Sequence, residues 1–165
     1  DPRIRILIVG RGNGLPALLA RAAQLNFPNV TFLPTQPRER LSEMLAAADI
    51  GLVTLDPRLS ETSVPSKTFT IMAAARPVLA AISPQNEIAR IVAQANCGAT
   101  VPPDNPQALA AQLKQWADDP SPLPAMGAAA RTWAEQHHAR NSAITAHAAT
   151  LEQVLRRNIR QKQKM

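Results

Sequence analysis

Five short apolar runs alternate along this chain with stretches of helical period, and that alternation limits the fold more than any other feature. Ile4 to Val9 is interrupted only by Arg5 and ends in Gly10-Arg-Gly-Asn-Gly14. A short apolar run closed by glycines reads as a buried strand feeding a helix. Leu15, Leu18, Leu19, Ala22 and Leu25 then recur at helical spacing over 15–25. A turn at 26–29 leads to a second strand, Val30 to Leu33, and Pro37 opens a helix reaching about Ala48. Ile50 to Leu55 is a third strand, followed by a loop over 56–64 and a helix from Pro65 to about Ala75. Pro77 to Ala81 and Gly98 to Val101 are the fourth and fifth strands, with a helix over about 85–95 between them. Helical stretches near 106–117, 123–138 and 141–160 complete the chain. The expected fold is α/β, a parallel sheet of about five strands with helices on both faces and further helices at the C-terminal end. Right-handed crossovers bring the loops at 10–14, 34–37, 56–66 and 82–87 to one edge, where such sheets bind ligands.

Length and composition agree with one domain over 1–165: 45% of its 165 residues are apolar, enough for a core. The fifteen prolines fall mostly between periodic segments, as turn punctuation. Residues 156–165 carry Arg156, Arg157, Arg160, Lys162 and Lys164 and no acid, so this tail supplies +5 of the formal +6 charge. The remainder is almost neutral, and only three phenylalanines, two tryptophans and no tyrosine are present. A basic face with stacking platforms for nucleic acid is not supported. Cys97 is the single cysteine, so no internal disulfide and no multi-cysteine metal site can form. No apolar run reaches the roughly 18 residues of a membrane span. The opening Asp-Pro-Arg-Ile-Arg has no signal-peptide pattern and sits at the edge of a strand, which leads us to expect a piece of a longer protein.

Two segments carry chemistry. Gly10, Gly12 and Gly14 let backbone turn tightly and approach a ligand, and the following helix aims free N–H groups at that loop, which suits phosphate. The dinucleotide fingerprint is not met, because Leu15 stands where a glycine is needed and Leu33-Pro34 where an acid is needed. A tight turn with no ligand weighs about equally. Ser60-Glu-Thr-Ser-Val-Pro-Ser-Lys67 leads from a strand end into a helix start. There Ser63 and Ser66 can cap or donate, first-turn amides can bind phosphate, and Lys67 adds a charge. Plain capping with a solvated lysine is the more frequent outcome for a generic sequence. His137, His138 and His147 read as surface residues rather than metal ligands, Asp56 and Glu87 as caps or surface acids, and Trp116 and Trp133 as core. The basic tail complements a helix C-terminal dipole or meets anionic lipid, the first reading being preferred.

The order of motifs resembles the C-terminal domain of glycosyltransferase family 4, which has the GT-B fold built of two Rossmann-like halves. Ile6-Leu-Ile-Val-Gly-Arg-Gly-Asn-Gly14 looks like that family's strand and Gly-x-Gly loop. Asn29 to Leu33 with Pro37 to Leu41, and Leu45 to Val53, look like the elements leading to the donor loop. Val64-Pro-Ser-Lys67 and Met72-Ala-Ala-Ala-Arg-Pro-Val78 are similar to the bacterial surface-polysaccharide branch, the colanic-acid type included. Glu87, Cys97-Gly98, Val101-Pro-Pro103 and Asn105 to Leu109 continue in order.

The resemblance implies a retaining, hexosyltransferase-type enzyme when intact, with a nucleotide-diphosphate sugar as donor substrate and no metal or other cofactor. It implies that Gly10, Gly12, Asn13, Gly14, Ser63, Val64, Ser66 and Lys67 face the donor diphosphate. Leu33, Pro34, Thr35 and Gln36 would hold the base and Thr70 the ribose, with Glu61 and Thr62 facing the sugar. Many relatives carry glutamates where Thr62 and Thr70 stand, and the catalytic residues are not identified. An opening strand–helix unit and an acceptor-binding domain would precede Asp1, and the isolated piece would bind donor without turnover. The expected location is cytoplasmic, or peripheral at the inner membrane through the tail. Two other readings stand beside this one: a degenerate transferase domain kept for assembly, and a flavodoxin-like signalling module suggested by Asp56 after the third strand.

Overall fold

In the computed structural model, residues 1–59, 61–138, 144–145, 147–154 and 156 are described. Five strands, β1 (Ile6–Val9), β2 (Val30–Leu33), β3 (Gly51–Thr54), β4 (Val78–Ala81) and β5 (Gly98–Val101), all run parallel to their neighbours. Among the described residues, the α-helices α1 (Leu15–Leu25), α2 (Leu41–Ala46), α3 (Lys67–Ala73), α4 (Glu87–Ala95), α5 (Pro106–Asp118) and α6 (Leu123–His137) alternate with them or follow. The C-terminal stretch expected over 141–160 is helical at 144–145, 147–154 and 156, and its other residues lie outside the described ones.

The α/β fold and the parallel sense are as expected, but the strands form two sheets. β1 pairs only with β2, and the other three are ordered β3-β4-β5. Neither β1 nor β3 is the other's neighbour, so strand order, which periodicity leaves open, divides the array.

The core belongs to the three-stranded sheet. β4 is buried along its whole length, which its unbroken apolar sequence anticipates. On one face, Val53, Val78 and Ala80 pack with Ile71 and Met72 of α3, Ile88 and Val92 of α4, and Ala130 and Ala134 of α6. On the other, Leu79, Ala81 and Val101 pack under Trp116 of α5. Gly98 has to be glycine, because a Cβ there would lie 1.9 Å from the Val78 carbonyl oxygen. Gly127 likewise admits the Ala75 carbonyl against α6. Trp133 packs at the margin of the first cluster and stacks on His137, while His138 meets Phe69 of α3, each at 4.0 Å between ring centres. Burial against Phe69 and the adjacent His137 push the His138 pKa down.

Residues 1–50 contain no buried position. Leu18 and Leu19 of α1, Leu7 and Ile8 of β1, and Phe27 are exposed. This half is tied to the rest at the start of β1, where the Arg3 guanidinium donates to the Ala117 carbonyl at 3.1 Å and to Asp118 at 2.8 Å, at the end of α5.

Candidate functional site

Parallel strands place all their carboxyl ends on one edge of each sheet, and the candidate residues follow those ends. The glycine loop leaves β1, and the turn at 33–36 leaves β2 beside it. Gly10 N–H donates to the Leu33 carbonyl at 3.1 Å and so joins the two segments. Gly10 has φ 150°. A Cβ added at Gly10, Gly12 or Gly14 would meet nothing within 4 Å, so the loop borders open space rather than packed protein. Glycines required by packing look like Gly98; these three leave room for an approaching group. Asn13 is exposed on the same loop, and Gly14 precedes α1 without a side-chain cap. In the neighbouring turn Leu33, Pro34 and Thr35 are exposed, and the Gln36 amide donates to the Pro34 carbonyl at 2.9 Å, closing the turn on itself.

The second cluster lies between β3 and α3. Ser60 is outside the described residues. Glu61, Thr62 and Val64 are exposed, and the Thr62 hydroxyl lies 3.5 Å from the Leu59 carbonyl. The helix starts at Lys67, and its sequence sorts itself by helical period. Thr68, Ile71 and Met72, at i, i+3 and i+4, are buried, which turns Ser66, Lys67 and Thr70 outward together. The expectation that Ser66 caps this helix is not met. Ser66 has helical backbone angles, φ −59° and ψ −24°, so its hydroxyl makes no cap bond to the first turn. A capping serine normally adopts an extended backbone that swings its oxygen back over those amides.

The loop is anchored instead by Asn86, which sequence reasoning passed over. Its amide nitrogen donates to the Ser63 carbonyl at 2.9 Å, while its oxygen accepts from Ile88 N–H at 2.8 Å and caps α4. An asparagine just before a helical run was the available signal. Thr68 was also missed: it is fully buried, and its hydroxyl has no hydrogen-bond partner among the described residues.

The acids after the strands are engaged. The Arg58 guanidinium donates to Asp56 at 2.9 and 2.5 Å, and this contact with the Arg58 backbone N–H holds the Asp56 pKa at about 2, below the ordinary 3.8. Glu87 pairs with Arg90, which lowers its pKa. Burial pushes the Cys97 thiol up to about 11, so its reactive thiolate is scarce at neutral pH. Among the described residues no three His, Cys, Asp or Glu side chains gather as a metal site. A hollow of about 410 Å³ opens above β3 and β4, lined by Thr54, Leu55, Ala81, Asp104, Asn105, Pro106 and Leu109.

This arrangement of open glycine loop, strand-end turn and outward helix start coincides with a family match over residues 1–119, to the model described as glycosyl transferases group 1. The chain belongs to that family. A probable glycosyltransferase of Pseudomonas aeruginosa, WbjE, is 32% identical over 111 residues, which are 67% of this chain and 27% of WbjE. Anabaena HepE, solved in complex with UDP-glucose, has the same fold with a TM-score of 0.78 at 19% identity, over 93% of this chain and 42% of HepE. WaaG, a glycosyltransferase involved in lipopolysaccharide biosynthesis, matches with a TM-score of 0.65 at 23% identity, over 89% of this chain and 37% of WaaG. This glycosyl transferases group 1 chain thus spans well under half the length of each of these proteins.

Proposed function

We propose that this chain is the nucleotide-sugar donor-binding domain of a longer, two-domain glycosyltransferase acting in cell-surface polysaccharide or glycolipid synthesis. The observation that carries the reading is the unobstructed glycine loop at the carboxyl edge of a parallel sheet in a chain of this family. Gly10, Gly12, Asn13 and Gly14 on one side, with Ser63, Val64, Ser66 and Lys67 on the other, receive the diphosphate. Leu33, Pro34, Thr35 and Gln36 hold the base, and Thr70, on the outward face with Lys67, reaches the ribose. Glu61 and Thr62 face the sugar. HepE, whose fold this chain shares, was solved with UDP-glucose and with UDP, which supports a uridine donor. WaaG, a glycosyltransferase involved in lipopolysaccharide biosynthesis, supports a role in surface glycans.

The chemistry is transfer of a hexosyl group with retention of configuration. The bond from the anomeric carbon to the diphosphate oxygen breaks, its electron pair stays on that oxygen, and the acceptor hydroxyl forms the new bond and loses its proton. Backbone N–H groups and the Lys67 ammonium stabilise the leaving diphosphate as its charge grows. The acceptor-binding domain lies elsewhere in the longer protein, so residues 1–165 alone bind donor without turnover. The enzyme works on the cytoplasmic side; the basic sequence at 156–165 is read first as complementing a helix C-terminal dipole and second as meeting anionic lipid of the inner membrane.

Calorimetry on the longer polypeptide with UDP, GDP, ADP and uridine tests the site. One nucleoside diphosphate binds best, and Lys67→Ala weakens it on the order of tenfold or more while leaving uridine affinity unchanged. Absence of binding at millimolar diphosphate would establish the degenerate, assembly-only domain instead.

A further inference from the structure

We infer that Asn86 is a positioning residue for the donor site: its side chain fixes the loop that delivers Ser66 and Lys67 to the diphosphate. The inference rests on the donor-binding reading of that loop. Among the described residues, Asn86 and Asn105 both cap helix starts with their side chains, and they differ. The Asn105 oxygen accepts from Ala108 N–H at 2.9 Å, and does so from an exposed position. Capping therefore asks for no burial. Asn86 caps α4 in the same manner but is only 1% exposed, and its amide nitrogen donates to a carbonyl 23 residues earlier, that of Ser63. Because Ile88 N–H needs an acceptor, the cap settles which end of the amide is oxygen and turns the nitrogen toward Ser63. Serine, threonine or aspartate would cap a helix as well. None of them also offers an NH2 donor from the far side of a planar amide.

Asn86 is itself held from the sheet side. Ile82 and Ser83, which follow β4, are buried, and Ile82 N–H donates to the Val101 carbonyl at 3.1 Å. Asn86 N–H donates to the Ser83 carbonyl at 3.0 Å and Gln85 N–H to the Ser83 hydroxyl at 3.3 Å, so the turn carrying Asn86 is locked to the buried strand. The loop is the looser partner: Glu61, Thr62 and Val64 are exposed, and Ser63 N–H reaches only the Leu59 carbonyl, at 3.0 Å. Past Ser63 the chain is stiff. Val64 precedes a proline, which confines it to extended backbone, and the Pro65 ring fixes its own φ. Ser66 follows without a cap bond, and α3 begins at Lys67. A shift of the Ser63 carbonyl thus passes through Val64 and Pro65 to the first turn of α3 instead of being absorbed between them. The turn at 33–36 follows a strand of the other sheet, so Asn86 governs the diphosphate side of the site and not the base side.

Calorimetry on the longer polypeptide with UDP and with uridine, comparing native protein and Asn86→Ser, tests this. The serine keeps an acceptor for Ile88 N–H and is too short to reach Ser63, so the cap survives and the tie does not. UDP affinity should fall on the order of tenfold and uridine affinity should be unchanged, while the amides at 61–64 exchange on the order of tenfold faster without nucleotide. With Lys67→Ala already in place, Asn86→Ser should weaken UDP by less than about twofold, because the side chain it positions is gone. Asn86→Asp, equal in shape and a good cap, sets an oxygen against the Ser63 carbonyl and should reproduce the loss, which guards against a serine variant that packs poorly. Native UDP affinity in both variants would overturn the inference, as would equal loss of UDP and uridine, the sign of general loosening. Native protein that binds no UDP would overturn the donor reading and this role with it, whereas native protein that binds UDP no better than the variants do overturns this role alone.

Discussion

Residues 1–50 and 51–137 repeat the same alternation of parallel strand and helix, yet one half has a core and the other has no buried residue. β1 reads Ile-Leu-Ile-Val and β4 reads Val-Leu-Ala-Ala, both wholly apolar, but only β4 has a strand on each side and helices on both faces. Burial is therefore a property of what surrounds a strand, and apolar sequence states only the requirement for it. The glycines draw the same contrast: in the packed half they admit neighbouring backbone at Gly98 and Gly127 and the Ile71 side chain at Gly51, and in the open half they border empty space.

Substitutions should separate the halves by size of effect. Gly98→Ala forces a Cβ against the Val78 carbonyl and should cost about 3 kcal/mol or more, whereas Gly12→Ala should leave the denaturation midpoint unchanged and weaken nucleotide binding. Equal stability loss at both would erase the contrast. Met72→Ala, at a fully buried site, should cost about 2–5 kcal/mol, and Leu18→Ala, at a residue 52% exposed, less than about 1 kcal/mol. Urea titration of both variants measures the difference. Asn86→Ala removes a helix cap and the tie to Ser63, for about 1–2 kcal/mol, and should also loosen the loop before α3, visible as faster exchange at 61–64. Ala75 has φ 55°, a left-handed backbone that a Cβ disfavours, so Ala75→Gly should raise stability by up to about 1 kcal/mol.

The smallest effect is on pH dependence. The folded pKa of Asp56 is depressed, so its tie to Arg58 is fully present above the ordinary carboxylate value of 3.8 and is lost as pH falls through about 2. Carbon NMR of the Asp56 carboxyl should show that midpoint, and Arg58→Ala should return it toward 3.8.

Element type and order were legible from period: α1 spans 15–25 as its leucine spacing requires and the five strands fall where the apolar runs are, whereas the helix expected from Pro37 to about Ala48 is a 3-10 turn at Arg38–Arg40 followed by the shorter α2, Leu41–Ala46. The array's division into two sheets was not, because pairing partners leave no mark in a strand's own sequence. Around the candidate site, motif order proposes Lys67 and Thr70, which the structure turns outward on α3, while the roles of Ser66 and Asn86 depend on backbone angles at two loop ends. Thr68 shows the same limit: its residue type suggests a surface, and its helical phase with Ile71 and Met72 puts it inside.

The central claim, a donor site on the carboxyl edge, is tested most directly by titrating the 165-residue chain with UDP and following backbone amide shifts. The account predicts saturable shifts confined to 10–14, 33–37 and 61–67. Shifts centred instead on the hollow at Asp104 to Leu109, or none at millimolar nucleotide, would contradict it.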